Sequence, residues 1–371
     1  MDFESLQKVM KENGIVGAGG AGFPSYAKLN KSCDTIILNC AECEPLLRLH
    51  RQLLERRTNE ILQTLEVVAD TLGINNVIVG IKEVYTKTVQ SLNRCLPNFK
   101  KISLCLLPEI YPAGDEVVLT YQATGRIVPP GKIPAMVGVI VYNVETMYNL
   151  YHALKGIPVT HKFVTVTGEV ARPTTFYAPI GSELYGLIKR SGGVTVDDPQ
   201  ILLGGPMMGN LTHDMDVVTK TTNAIIVLSK NHPVVLRKQT RVGIDVKRAM
   251  ASCCQCHYCT DMCPRHLLGH PIDPSEIMRV SLLRAKLAEN IAGEFELGVF
   301  GPELFLMGLF SVVDLILNMP MSDALDILKV SKNINRALVN HDGPFCDVLY
   351  FIEKYEAGDW QEVSRLMLIN N

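Results

Sequence analysis

Residues 14–28 read GIVGAGGAGFPSYAK, and residues 35–45 follow with TIILNCAECEP. Glycines let backbone N–H groups come close to a phosphate and tolerate left-handed backbone. No G-K-[ST] ends the run, so it is not a Walker A loop. It precedes the first strand-like run, which is not the place of a dinucleotide fingerprint. In isolation a flexible connection between a helix and a strand reads equally well. The run at 35–40 (TIILNC) decides more, because three others resemble it in length and character: 77–82 (VIVGIK), 102–107 (ISLCLL) and 139–143 (VIVYN). Helical spacing fills 4–12, 46–72 and 85–96. This alternation predicts an α/β domain with a largely parallel sheet, whose ligand site lies on loops at the carboxyl ends of the strands.

From residue 161 the pattern changes. Residues 163–170 (FVTVTGEV) alternate and are β-branched, 183–190 is a short helical stretch, and 201–209 reads ILLGGPMMG. A small mixed α+β unit is expected here, with a further apolar run at 225–229. Beyond about residue 274 the chain reads as helical. We therefore expect three domains, at 1–158, 159–230 and 231–371.

Composition narrows the function. The chain has 371 residues, 47% of them hydrophobic and 20% charged, with a formal net charge of -2. That balance describes a globular protein without the basic field of a nucleic-acid binder. Residues 1–13 hold Asp2, Glu4, Lys8, Lys11 and Glu12 and no apolar run, so no secretory leader is read there. The stretch 304–317 (LFLMGLFSVVDLIL) carries Asp314 and falls short of the ~20 apolar residues of a spanning helix. It is expected as a buried or partner-facing helix, with membrane contact as the competing reading.

Eleven cysteines in such a chain point to metal or redox use rather than a disulfide framework. Residues 253–264 read CCQCHYCTDMCP. Cys253, Cys256, Cys259 and Cys263 form C-x2-C-x2-C-x3-C-P, the bacterial ferredoxin spacing for a [4Fe–4S] cluster. Structural zinc is the competing reading, although it favours two separated C-x2-C pairs. Cys254 is a bystander. In two-cluster ferredoxins the fourth cysteine serves the other cluster, and the only cysteine after Cys263 is Cys346. The fourth ligand stays open between Cys263, Cys346 and an open iron. His257 is expected beside the metal or at the surface. Cys40 and Cys43 are expected as cavity-wall residues, not ligands.

Around the glycine loop, Glu42 and Glu44 sit two apart and share a face if extended. They can hold ribose hydroxyls or form a solvated acidic turn. Residues 111–116 (YPAGDE) and 128–132 (VPPGK) are Gly/Pro turns, and 143–146 (NVET) end a strand.

The ordered series GAGGAGFP…K, N-x-x-E-x-E-P, YPAGDE, PPG, NVET, VTVTGEV, GGPMMG and C-x2-C-x2-C-x3-CP resembles the RnfC-like family, related to the flavin- and NADH-binding subunit of respiratory complex I. Within it the chain is most similar to the cobalamin reductases of bacterial microcompartments, including a start at the glycine loop without the extra N-terminal domain of RnfC. The resemblance spans residues 14–279. It implies a complex-I-like flavin domain, a β-grasp (SLBB-type) module that is structural, and a helical ferredoxin-like iron–sulfur region. It further implies that Gly17, Gly19, Gly20, Gly22 and Lys28 cradle the phosphate of FMN. Asn39, Glu42 and Glu44 would line the flavin and nicotinamide pocket, with Asn143, Glu145 and Thr146 touching the flavin from the far strand. NADH would be the donor and a corrinoid or a protein the acceptor. A corrinoid adenosyltransferase or shell proteins would be further partners, in the cytoplasm or inside a microcompartment. The chain departs from the family at 306–321, where a second cluster motif is expected and Met319-Pro320 replaces Cys-Pro. One cluster is therefore expected. The alternatives to an NADH-dependent reductase are a non-catalytic flavin/iron–sulfur relay and a docking subunit of a larger redox complex.

Overall fold

The four strand-like runs of the first domain become β1 (Thr35–Asn39), β2 (Asn76–Lys82), β3 (Ile102–Leu107) and β4 (Val139–Asn143). They form one parallel sheet of order β3-β2-β1-β4. Period-two alternation sorts its two faces. Ile36, Leu38, Val77, Val79, Ile140 and Tyr142 enter one core, and Ile37, Ile78, Val139 and Val141 enter another. The first core is covered by α1 (Phe3–Glu12), α2 (Leu49–Arg56), α3 (Thr58–Leu72), α4 (Thr86–Cys95) and α6 (Val144–Ala153). The second is covered by α5 (Glu116–Thr124), which contributes Leu119. The computed structural model describes residues 1–371 apart from 213–215, 241–243, 245–247, 250–251, 318 and 370–371, with 368–369 described by their backbone.

Strand order sets where a ligand goes. From β1 the chain builds outward through β2 and β3, then returns to place β4 on the other side of β1, with Asn39 opposite Asn143. Connections leave on opposite faces at this reversal, so a crevice opens beyond the carboxyl ends of β1 and β4.

The next segment is a five-stranded mixed sheet of order β6-β5-β9-β7-β8. Its strands are β5 (His161–Gly168), β6 (Thr174–Pro179), β7 (Pro199–Leu203), β8 (Asn210–Thr212) and β9 (Ala224–Ser229). One face holds α7 (Leu184–Arg190) through Leu184, Leu187 and Ile188. The other packs Leu202, Ile226 and Leu228 against Val235 of α8 (Pro233–Gln239) and against Leu47, from the loop that follows β1. Residues 1–239 form one compact unit containing both sheets, and 240–371 form a second.

The second unit is helical. Its longest helix, Pro274–Asn290, starts on an Asp273 cap that accepts from the Ser275 and Glu276 amides. The apolar stretch expected as one helix divides into Gly301–Phe310 and Val313–Leu317. Leu304, Met307, Leu309, Phe310 and Val313 are buried in the core of this unit. Among the described residues no helix is long and apolar enough to cross a membrane.

Candidate functional site

A cavity of about 410 Å³ occupies the crevice beyond β1 and β4, within the range of small-molecule sites. Of the residues expected from sequence, Gly17, Gly19, Lys28, Asn39, Glu42, Glu44, Asn143 and Thr146 line it. The glycine loop closes on itself through Gly17 N–H to Phe23 O (2.8 Å) and Gly22 N–H to Gly17 O (3.1 Å). Thr146 ties it to the head of α6: its hydroxyl accepts from Ala18 N–H at 3.0 Å. A Cβ on Gly19 would stand 3.2 Å from the Asn143 amide nitrogen. Gly20 and Gly22 hold φ of 128° and 65° and shape the loop without lining the cavity.

Lys28 donates to Glu116 at 3.2 Å and to Val141 O at 3.1 Å. Asn39 donates to Gly114 O at 2.8 Å, holding the 111–116 turn over the sheet end. Asn143 caps α6 by accepting from Glu145 N–H at 2.9 Å. Cys43 borders the same turn, accepting from Gly114 N–H at 3.1 Å. Cys40 is buried, and burial pushes its thiol up, which makes it a packing residue.

The two glutamates separate. Glu42 turns inward with its side chain 7% exposed. One oxygen accepts from His50 N–H at 2.8 Å. The other accepts no hydrogen bond, and Arg51 Nε stands 3.9 Å away. Burial raises the carboxyl of Glu42 despite Arg51. Glu44 reaches the β-grasp module instead. Its carboxylate accepts from the consecutive amides of Met207 (2.9 Å) and Met208 (2.7 Å). A Cβ on Gly205 would lie inside that side chain, so the GGP turn admits the carboxylate only because residue 205 is glycine. Lys238 holds the same loop by donating to Met207 O at 3.2 Å.

Glu145 lies fully buried behind the cavity wall, ion-paired with the buried Lys162 of β5 and accepting from Phe163 N–H at 3.1 Å. Burial raises the carboxyl and lowers the ammonium. Lys162 also donates to Asn223 at 2.8 Å, and Asn223 and Met208 both line the cavity. Sequence reasoning misses those two, and His50 with them. The β-grasp module reads as purely structural, and nothing local marks a histidine in an amphipathic helix. His50 is 13% exposed, with Nδ1 3.8 Å from Glu42 and Nε2 4.0 Å from Glu145. Burial, with the charge of Lys162, pulls its pKa down to about 3.

The cavity suits a planar polar ligand carrying a phosphate. A glycine loop stands at one end, and two buried polar atoms without hydrogen-bond partners, Glu42 Oε2 and the Tyr142 hydroxyl, belong to residues of its wall.

The cysteine segment lies in the second unit. Gln255 and His257, with φ of 57° and 60°, curl the chain between the thiols. His257 Nδ1 meets Ser275 Oγ at 2.7 Å, Ser275 Oγ donates to Asp273 at 2.6 Å, and Thr260 also donates to Asp273. This network fastens the segment to the head of the long helix. The sulfur donor set suits a soft metal centre. Among the described residues, however, no three such side chains are gathered as for a bound metal ion. Cys346 donates to His341 O at 3.0 Å, and burial raises its thiol.

Three family models match the chain: the Nuo51 FMN-binding domain at residues 10–152, the SLBB domain at 163–211 and the 4Fe-4S dicluster domain at 252–295. The chain is 41% identical over 280 residues to a cobalamin reductase PduS of Citrobacter freundii, covering 75% of this chain and 62% of that protein. It is 41% identical over 278 residues to the Salmonella typhimurium protein of the same name, covering 74% and 61%. A component of the ion-translocating oxidoreductase complex of Pectobacterium atrosepticum is 32% identical over 271 residues, covering 71% of this chain and 38% of that one. The chain thus spans about three fifths of the two cobalamin reductases. In fold it is similar to a solved NAD+-reducing [NiFe]-hydrogenase in its H2-reduced state, with a TM-score of 0.59 at 18% identity, covering 96% of this chain and 67% of that one. The resemblance read from the motifs is borne out, as is the succession of parallel-sheet flavin-type domain, SLBB module and 4Fe–4S region.

Proposed function

We propose that this chain is a flavin/iron–sulfur oxidoreductase that takes reducing equivalents from NADH and passes them on to a corrinoid or a corrinoid-binding protein. The observation that carries this reading is the cavity at the strand-order reversal. It brings the glycine loop, Lys28, Asn39, Glu42, Asn143 and Thr146 to one wall within the segment matching the FMN-binding model. Bound there, FMN would accept a hydride and release electrons singly, the conversion that joins a nicotinamide donor to an iron–sulfur centre. The glycine loop and Lys28 would hold its phosphate, Lys28 exchanging Glu116 for the anion. Asn39 and Asn143 would fix the ring edge, each already oriented by a backbone bond. Phe23, Leu47 and Met208 would exclude water. Cys253, Cys256, Cys259 and Cys263 would hold one [4Fe–4S] cluster and gather around it as it assembles. The similarity to cobalamin reductases supports the corrinoid acceptor, and we place the protein with it inside a bacterial microcompartment.

A second reading is a relay fed by a protein donor. The Glu44 clamp favours it, because the carboxylate that would meet a nicotinamide ribose is already engaged by two amides. Anaerobic purification with flavin, iron and sulfide assays, then a visible spectrum before and after NADH, separates the two. One FMN per chain that NADH bleaches supports the reductase. Flavin that NADH leaves oxidised supports the relay. Neither flavin nor iron after anaerobic reconstitution overturns both.

A further inference from the structure

The reductase reading accounts for most of the cavity wall but leaves a buried titratable cluster without a task. His50 is its centre. On the loop after β1, Glu42 stands 3.8 Å from Nδ1; on α6, Glu145 stands 4.0 Å from Nε2. Asn143 Nδ2 lies 3.4 Å from both ring nitrogens. No described partner approaches either nitrogen more closely. The cations facing the cluster are Arg51 of α2, Lys162 of β5 and, acting on Glu42, Lys82 of β2. The hydroxyl of Tyr85 donates to Glu42 O at 3.1 Å.

Charge accounting gives the cluster its character. Glu145 is paired with Lys162, and Glu42 faces Arg51. With a neutral imidazole between them the two pairs sum to zero, Lys82 acting on Glu42 from beyond ion-pair distance. Burial keeps the imidazole neutral while the cavity holds no added charge. A negative charge entering the cavity changes that, because the low-dielectric wall amplifies its attraction for a proton on the ring. Both carboxylates then become acceptors: Oε1 of Glu42, which already accepts from His50 N–H, faces Nδ1, and Oε2 of Glu145 faces Nε2.

We infer that His50, held between Glu42 and Glu145 on the cavity wall, is the charge-compensating group of the flavin site. Its imidazole takes one proton from water when the bound ring is reduced and returns that proton when the electrons leave. The balance is simple. A hydride brings two electrons and one proton, leaving one unit of negative charge in the cavity. His50 offsets that unit as imidazolium, donating toward Glu42 or Glu145. When two electrons depart singly to the iron–sulfur centre, the hydride's proton and the His50 proton both go to water. This inference rests on the flavin reading above, and it makes His50 a second link between the flavin potential and pH, beside the proton carried by the ring itself.

The test is a spectroelectrochemical titration of bound FMN from pH 5.5 to 8.5 in the wild type, His50→Asn and His50→Gln. It is joined to reduced-minus-oxidised infrared difference spectra of protein with isotopically labelled histidine. In the wild type, reduction should bring an imidazolium band, and both variants should lose it. The pH at which the potential changes slope should move by about one unit or more in the variants. Should neither variant fold, Glu42→Gln takes their place: removing the carboxylate that faces Nδ1 should shift or weaken the band, and an unchanged band overturns the inference. FMN that binds and is bleached by NADH, with no imidazolium band or with identical pH profiles in all three proteins, overturns this inference and leaves the reductase reading standing. Failure to bind FMN overturns both.

Discussion

Two carboxylates separated by one residue do different work here. Glu44 joins the flavin-type domain to the β-grasp module through two charge-assisted hydrogen bonds. Glu44→Ala should lower the stability of the first unit by about 2–3 kcal/mol in urea unfolding, while Glu44→Gln, which keeps one acceptor oxygen, should lose about half of that. His50 predicts a pH dependence. Its folded pKa of about 3 lies below the ordinary 6.5, so as pH falls the unfolded chain takes the proton first. The associated stability is present above pH 6.5 and is lost on acidification toward pH 3, by about 1.4 kcal/mol per pH unit. Glu42 and Glu145, both raised by burial, act in the opposite sense and gain stability as pH falls toward their unfolded values. The difference between wild type and His50→Asn isolates the histidine. It should shrink between pH 7 and pH 5 in chemical denaturation of the flavin-free protein. At this scale the sequence was half legible. Gly17, Gly19, Asn39 and Asn143, singled out from the sequence, do line the cavity, because loop and cap chemistry is local. The partner of Glu44 was hidden, since those hydrogen bonds join residues 163 and 164 positions apart.

Elements were easier to read than contacts. The strands of the first sheet declared themselves as apolar runs because both faces of a parallel sheet are buried. The helices α5 and α6 went unread. Residues 111–116 looked like a turn and 143–146 like a strand end, and both in fact contain helix caps, Asp115 and Asn143. The strand β6 escaped because its alternation is weak, with Thr174 and Thr175 exposed. In the second unit, the helix Gly301–Phe310 packs on Pro274–Asn290 at Gly308, where a Cβ would stand 2.5 Å from the Arg284 carbonyl and 2.6 Å from Ala285 Cα. Gly308→Val forces the two helices apart. It should destabilise the second unit by about 1–3 kcal/mol, while FMN affinity, a property of the first unit, stays unchanged. Calorimetry read beside flavin titration checks both halves.

At the scale of these 371 residues the expected cluster count follows from the cysteines. Beyond the quartet at 253–263 the only later cysteine is Cys346. The stretch where another motif is expected, 306–321, holds Met307, Leu309, Phe310 and Val313 in the core. Iron and sulfide analysis of anaerobically prepared protein should give about four of each per chain. Cys263→Ser should lower that content or turn it to a three-iron spectrum, and Cys346→Ser should leave it intact. About eight irons would mean that ligands other than these cysteines take part.

The Glu44 clamp also sets a schedule. Ribosomes release the chain from its N-terminus, and the glycine loop, the first sheet and most of the cavity wall emerge well before the amides of Met207 and Met208 and the side chain of Asn223. Until those arrive, Glu42 and His50 border an unfinished hollow, and Lys162 has no Asn223 to meet. A nascent chain arrested before β7 should therefore retain flavin less tightly than the full chain, which flavin fluorescence of arrested complexes checks.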